Sequence, residues 1–141
     1  MIFRTATHQD LPAVVALITD GAEAVDTAYE AAFAAIESDP RNEMLVLADE
    51  DGTVLGCLQA TYIPGLGKHG TERALFEAVR VRADRRGHGL GGTLMREAID
   101  RARARGCALV QLTSNKERTE AHRFYAQLGF ARSHDGFKLS L

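Results

Sequence analysis

The chain has 141 residues, with 17 lysines and arginines against 19 aspartates and glutamates, 45% hydrophobic residues, two cysteines and no tryptophan. A chain of this size buries about 70% of its unfolded surface, so a single domain over residues 1–141 with a real core is expected, without disulfides or a structural metal. A net charge of −2 and 6% aromatic residues argue against a nucleic-acid binder. The longest apolar run, Leu11 to Ile18, is too short to cross a membrane.

Ile2 to Thr5 reads as a short strand, and Thr7 can cap a helix carrying Leu11, Val14, Val15 and Ile18 at helical spacing. Ala22 to Glu37, rich in alanine and acids, predicts a second helix. Met44 to Ala48 and Thr53 to Tyr62 are strand-like and are joined through Asp51-Gly52, a hairpin signal. Ile63 to Thr71 follows as a glycine-bearing loop. Arg73 to Ala83 predicts a long strand, whose alternation puts Leu75, Glu77, Val79 and Val81 on one face and Ala74, Phe76, Ala78, Arg80 and Arg82 on the other. Gly91 to Arg105 predicts a helix stopped by Gly106, and Ala108 to Thr113 a strand. Thr119 to Leu128 predicts a helix with Ala121, Phe124, Tyr125 and Leu128 on its apolar face. Phe130 to Ser133 and Gly136 to Leu141 predict a closing hairpin, which makes the order βααβββαβαββ.

Between the long strand and the helix after it lies Arg86-Gly87-His88-Gly89-Leu90-Gly91-Gly92. Backbone N–H groups and the positive end of the helix dipole converge there, glycines allow an anion to approach the backbone, and Arg85 and Arg86 add positive charge. Gly87, Gly89 and Gly92 also match the Gly-x-Gly-x-x-Gly spacing of a dinucleotide-binding turn. That reading fails on context. Asp84-Arg85-Arg86 separate the strand from the first glycine, and the next strand leads into Thr113-Ser114-Asn115 with no acid. A Walker A lysine is lacking too, since Thr93 follows Gly92. Cys57 and Cys107 stand 50 residues apart with no zinc-ligand spacing around them, so two reduced, packed thiols are expected.

Arg86-Gly87-His88-Gly89-Leu90-Gly91 resembles the Arg/Gln-x-x-Gly-x-Gly/Ala signature of the GNAT superfamily of acetyl-CoA-dependent N-acetyltransferases. Asn115, Ala121-His122-Arg123-Phe124-Tyr125 and Leu128-Gly129-Phe130 resemble that superfamily's second conserved block, and the element order agrees along the whole chain. The resemblance implies an α/β GNAT-like domain whose mixed, mostly antiparallel sheet contains a splayed parallel pair. It implies that the backbone of Val79, Arg80 and Val81 contacts the pantetheine arm of acetyl-CoA. Arg86, Gly87, His88, Gly89, Leu90, Gly91 and Gly92 would then take its pyrophosphate, and Asn115 would touch the cofactor beyond the splay.

It also implies a cytoplasmic enzyme, a homodimer as one common assembly, no metal, and direct transfer of the acetyl group to a primary amine of a small molecule or peptide. Glu77 is similar to a glutamate that serves relatives as general base, and desolvation on its strand face would raise its pKa; a solvated or arginine-paired carboxylate is the alternative. Tyr125 is similar to the tyrosine that acts as general acid toward the coenzyme A thiolate, against the alternative of a core aromatic. A non-catalytic acyl-CoA-binding regulatory module is the rival function.

Charge is divided unevenly along the chain. Residues 1–60 carry eleven acids against Arg4 and Arg41, a net of −9, while residues 61–141 carry fifteen bases against eight acids, a net of +7. In relatives the acceptor cleft borders the first two helices, where Asp20, Glu23, Asp26 and Glu30 would suit a cationic amine, with an ordinary solvated helix face as the alternative.

Overall fold

The computed structural model describes residues 1–141, in two compact units, Met1–Gln111 and Leu112–Leu141. The first unit contains β1 (Ile2–Thr5), α1 (Leu11–Ile18), α2 (Thr27–Ser38), β2 (Asn42–Ala48), β3 (Val54–Ile63), β4 (Arg73–Val81), α3 (Leu90–Arg105) and β5 (Leu109–Gln111). Its sheet has the order β1-β2-β3-β4-β5, antiparallel throughout except for the parallel pair β4/β5.

The local chemistry accounts for where these elements start and stop. Asp26 accepts hydrogen bonds from the Ala28 and Tyr29 amides, so α2 begins at Thr27, later than its alanine content alone suggests. Asp20 and Gly21, both left-handed, turn the chain after α1. The expected turn at Asp49–Gly52 is closed by the Gly52 amide donating to the Asp49 carbonyl at 3.1 Å. Gly106, with φ of 93°, ends α3 by donating its N–H to the carbonyls of Ala102 and Arg103.

Both faces of the sheet are covered, which explains the near-continuous burial of β2 and β3. On one face Leu11, Val14, Val15 and Phe33 from α1 and α2 pack with Met44, Val46 and Cys57. α3 contributes Leu94, Met95, Ala98 and Ala102, all buried, to the other face. The C-terminal half of α3 is tied to the sheet through Glu43, which receives both Arg101 nitrogens, at 2.6 and 2.8 Å, and the Tyr62 hydroxyl at 2.7 Å. Arg105 lies 4.1 Å from the centre of the Tyr62 ring and pairs with Glu72. The Arg101–Glu43 pair joins the basic and acidic stretches of the chain, whose charges are interleaved here.

β4 departs from regular alternation. Cys57 stands opposite Arg80 and Gln59 opposite Glu77, so Leu58 alone faces both Ala78 and Val79. This is a β-bulge, and Ala78 occupies the left-handed region at φ of 53°. The Cys57 thiol lies 3.6 Å from the Ala78 carbonyl oxygen, its acceptor.

In the second unit, α4 spans Thr119–Gln127. Gly129, with φ of 100°, turns the chain so that the Phe130 amide donates to the Tyr125 carbonyl at 3.1 Å. The closing hairpin expected over Phe130–Ser133 and Gly136–Leu141 is not formed, so the order ends βααβββαβα. The apolar alternation at Phe137, Leu139 and Leu141 is present, but a strand is stable only in a ladder, and residues 130–141 join none.

Two predictions follow from these contacts. Asp10, almost buried, accepts from Arg4 at 2.6 Å and from the Thr7 amide at 2.7 Å. The Arg4 guanidinium, more than any other partner, holds its carboxyl below the ordinary 3.8. Its stabilisation should therefore be complete above that value and fade as pH falls through the lower folded value, and Asp10→Ala should cost about 3 kcal/mol at neutral pH in urea unfolding. At the bulge, Ala78→Gly should keep or raise the thermal midpoint, whereas Ala78→Val should cost about 1–2 kcal/mol because a β-branched residue resists positive φ.

Candidate active site

The bulge redistributes the side chains of β4. Cys57 and Gln59 lie on one face of β3, so their partners Arg80 and Glu77 share that face, the one covered by α1 and α2. Gly56, Ala60 and Tyr62 lie on the other face with Val81, Phe76 and Ala74. The strict alternation that put Glu77 with Val81 and Arg80 with Phe76 is therefore overturned, because one extra residue reverses the facing of everything beyond it. Sequence reasoning missed Ala78 for a physical reason: alanine carries no signal for positive φ, which glycine would have given.

Glu77 is exposed, so the burial expected to act on its carboxylate is not found. Arg80 is half-buried, and its guanidinium donates to the Val79 carbonyl at 3.0 Å and pairs with no carboxylate. Cys57 is fully buried, and that burial pushes its thiol up to about 12, which leaves it a neutral hydrogen-bond donor. Every peptide bond is trans. Because the Ala78 carbonyl points toward Cys57, the Val79 N–H on the same peptide plane points away from it.

β4 pairs with β5 only from Arg73 to Leu75. From Phe76 to Val81 the edge of β4 away from β3 carries no strand, so its outward N–H and C=O groups can take an extended partner. The strand then runs into the glycine turn. Gly87 and Gly89 have φ of 81° and 77°, and Gly89 caps α3. None of the N–H groups from Arg86 to Gly92 donates to a protein acceptor; the first helical bond is Thr93 N–H to the Gly89 carbonyl. A Cβ on Gly87 or Gly89 would meet no protein atom, so positive φ, and not crowding, selects glycine at these two positions. Arg86 bridges back to the Val81 carbonyl at 3.3 Å, while His88 is exposed and Leu90 anchors the helix start in the core. Consecutive amides without protein acceptors thus gather at the positive end of a sixteen-residue helix, a geometry that suits an anion.

In the second unit, the Asn115 side-chain oxygen accepts from the Glu117 amide at 3.0 Å, and its carbonyl accepts from the Arg118 amide and lies 2.8 Å from His122 Nε2. Asn115 therefore shapes the turn into α4. Tyr125 is half-buried, with its ring edge-on to Phe124 at 5.2 Å and to Phe130 at 5.8 Å.

Three of the four acids singled out around the first two helices, Glu23, Asp26 and Glu30, have local partners, whereas Asp20 stands in the left-handed turn after α1. Asp26 caps α2, Glu30 lies 2.6 Å from His8, and Glu23 accepts from the Tyr29 hydroxyl.

The profile of the acetyltransferase (GNAT) family matches residues 11–130. Among curated proteins, the aminoalkylphosphonate N-acetyltransferase of Salmonella typhimurium strain LT2 is 32% identical over 140 residues, spanning 98% of this chain and 90% of that protein. The crystal structure of a transcriptional regulator from Bacillus halodurans C-125 is 38% identical with a TM-score of 0.94, covering 99% of each chain. A Trypanosoma brucei acetyltransferase shares the fold at 24% identity, with a TM-score of 0.85 and 99% of each chain covered. The profile match over residues 11–130 and the 32% identical relative, which spans nearly the whole chain, place this chain in the acetyltransferase (GNAT) family.

Proposed function

We propose that this protein transfers the acetyl group of acetyl-CoA directly to the primary amine of a small molecule that also bears an anionic group. The observation that carries this reading is a pair of stretches with unpaired backbone donors, the outer edge of β4 beyond Leu75 and the turn Arg86–Gly92. An extended pantetheine arm matches the open strand edge, and a pyrophosphate matches the amides at the start of α3. Val79, Arg80 and Val81 would hold the arm by their backbone, and Arg86 to Gly92 the phosphates. When bound, acetyl-CoA supplies an acetyl group activated as a thioester.

The chain's own groups then have distinct tasks. Glu77 accepts a proton from the ammonium form of the acceptor, directly or through water, and so generates the neutral nucleophile. The Val79 N–H, fixed by the Cys57–Ala78 contact, donates to the acetyl carbonyl oxygen as negative charge grows there. The C–N bond forms as the C–S bond breaks, Tyr125 gives its hydroxyl proton to the departing sulfur, and the proton shed by the newly acylated nitrogen returns through water to the Tyr125 phenolate. Neither a covalent enzyme intermediate nor a metal has a part in this scheme.

Two observations support an anionic group on the acceptor. Arg80, turned by the bulge onto the face of Glu77, has no carboxylate partner, and the Salmonella relative acts on aminoalkylphosphonates. A guanidinium suits a phosphonate through paired charge-assisted hydrogen bonds. The structural occupations of Glu23, Asp26 and Glu30 remove much of the basis for a cationic acceptor. The regulatory alternative draws support from the Bacillus halodurans relative, and it predicts acetyl-CoA binding with no turnover on any amine.

Release of coenzyme A thiol in the presence of aminoalkylphosphonates, amino acids and polyamines tests the reading. Turnover is expected with the first class, and its absence with every amine would favour the regulatory module. Glu77→Gln should lower kcat by about a hundredfold and Tyr125→Phe by about tenfold, with acetyl-CoA affinity retained. Arg80→Gln should raise KM for the phosphonate-bearing amine by about tenfold without altering KM for acetyl-CoA. Gly89→Val, forced into positive φ at the anion site, should weaken acetyl-CoA binding by about tenfold or more in calorimetry.

A further inference from the structure

Gln59 stands where the apolar cover of one sheet face ends. Val54 to Leu58 of β3 are all buried, and burial alternates only from Gln59 onward, with Gln59, Thr61 and Ile63 half-buried. On the face covered by α1 and α2, Cys57 is therefore the last sealed residue of β3 and Gln59 the first that solvent reaches. Its partner across the ladder is Glu77, the one exposed residue of β4. Directly opposed residues of an antiparallel pair hold their Cβ atoms about 5 Å apart, so the carboxamide and the carboxylate share one opening.

The other neighbours of Gln59 on this face are engaged or apolar. Thr61 donates to the Asn42 side-chain oxygen at 2.8 Å, and Asn42 in turn donates to Asp39 at 2.9 Å. The Cys57 thiol donates to the Ala78 carbonyl, and Met44, opposite Gln59 on β2, is buried. Neither the Gln59 carboxamide nor the Glu77 carboxylate has a hydrogen-bond partner in the protein. A half-buried carboxamide left without a partner costs free energy that an apolar strand residue of similar length would avoid. A bound molecule that supplies the missing groups removes that cost.

We infer that Gln59 is a positioning residue for the acceptor amine, an inference that rests on the acetyl transfer proposed above. An ammonium group has only donors to offer, so the carboxamide turns its oxygen toward it and accepts one N–H while Glu77 accepts the proton that leaves. Held at two points, the nitrogen loses its freedom to rotate about the bond to carbon, and its lone pair keeps a fixed direction once formed. The NH2 of Gln59 then points away from the amine. Arg80, opposite Cys57, lies one step along the same face, so an anionic group of the same molecule can accept from both.

Calorimetric titration with aminomethylphosphonate in the presence of coenzyme A, which has no acetyl group to give, separates binding from turnover. Gln59→Met, similar in length but without the carboxamide, should raise the dissociation constant of the amine about tenfold or more, with coenzyme A binding unchanged. Its thermal midpoint should stay the same or rise, because no hydrogen bond within the protein is lost. In acetyl-CoA turnover the same variant should lower kcat/KM for the amine about tenfold or more, and Gln59→Asn, which keeps the carboxamide one methylene shorter, should recover part of that loss. Amine affinity that does not change in Gln59→Met overturns the inference, and acetyl transfer stands without it if the unmodified protein turns over. Affinity weakened as expected, with no turnover by the unmodified protein, overturns acetyl transfer and leaves this amine contact standing. A lowered thermal midpoint together with weakened coenzyme A binding in Gln59→Met also overturns the inference, since it marks a structural residue.

Discussion

Leu58 on β3 faces two residues of β4 where a regular ladder would offer one, and the site depends on that extra residue. Accommodating it puts Ala78 at φ of 53°, at a cost of about 1–2 kcal/mol for a residue with a Cβ. The strand accepts this cost because Leu55, Leu58, Ala60 and Phe76 around it are buried and leave the backbone little freedom to relax. Three consequences follow together. Glu77 and Arg80 come to one face, the Val79 N–H is directed away from Cys57, and the irregularity falls just beyond the point where β4 stops pairing with β5.

In the proposed reading the same constraint divides the work between backbone and side chains. Recognition of a long, flexible cofactor would fall to backbone groups, an open strand edge and a run of amides at a helix start, which need only extended geometry and small residues. Side chains are left for the tasks that differ between acceptors. Arg80, without an acid partner, would in that reading supply a positive charge for the acceptor, while Asp26 and Glu30 of the acidic first sixty residues have local partners in the cap of α2 and in His8.

Much of the fold was legible because its signals are local. Helical spacing located α1, α3 and α4 to within a residue or so, Asp-Gly located the β2–β3 turn, and Gly87 and Gly89 marked the turn into α3 through the conformation only glycine adopts freely. The bulge was illegible because its special residue is an alanine, placed by tertiary packing around Leu58 and Cys57 and not by its own preference. The closing hairpin was misjudged for a related reason. Alternation at Phe137, Leu139 and Leu141 suits a segment to a strand, yet does not supply the ladder that a strand requires. Glu77 lies on β4 as expected, while strand alternation alone does not tell that its side chain is exposed.

Amide hydrogen exchange measured with and without saturating acetyl-CoA tests the central claim most directly, because the proposed cofactor track consists of backbone donors. Protection gained in two separate stretches, Phe76–Val81 and Arg86–Gly92, is the predicted result. Binding that protects other segments while leaving both of these unchanged would contradict the account.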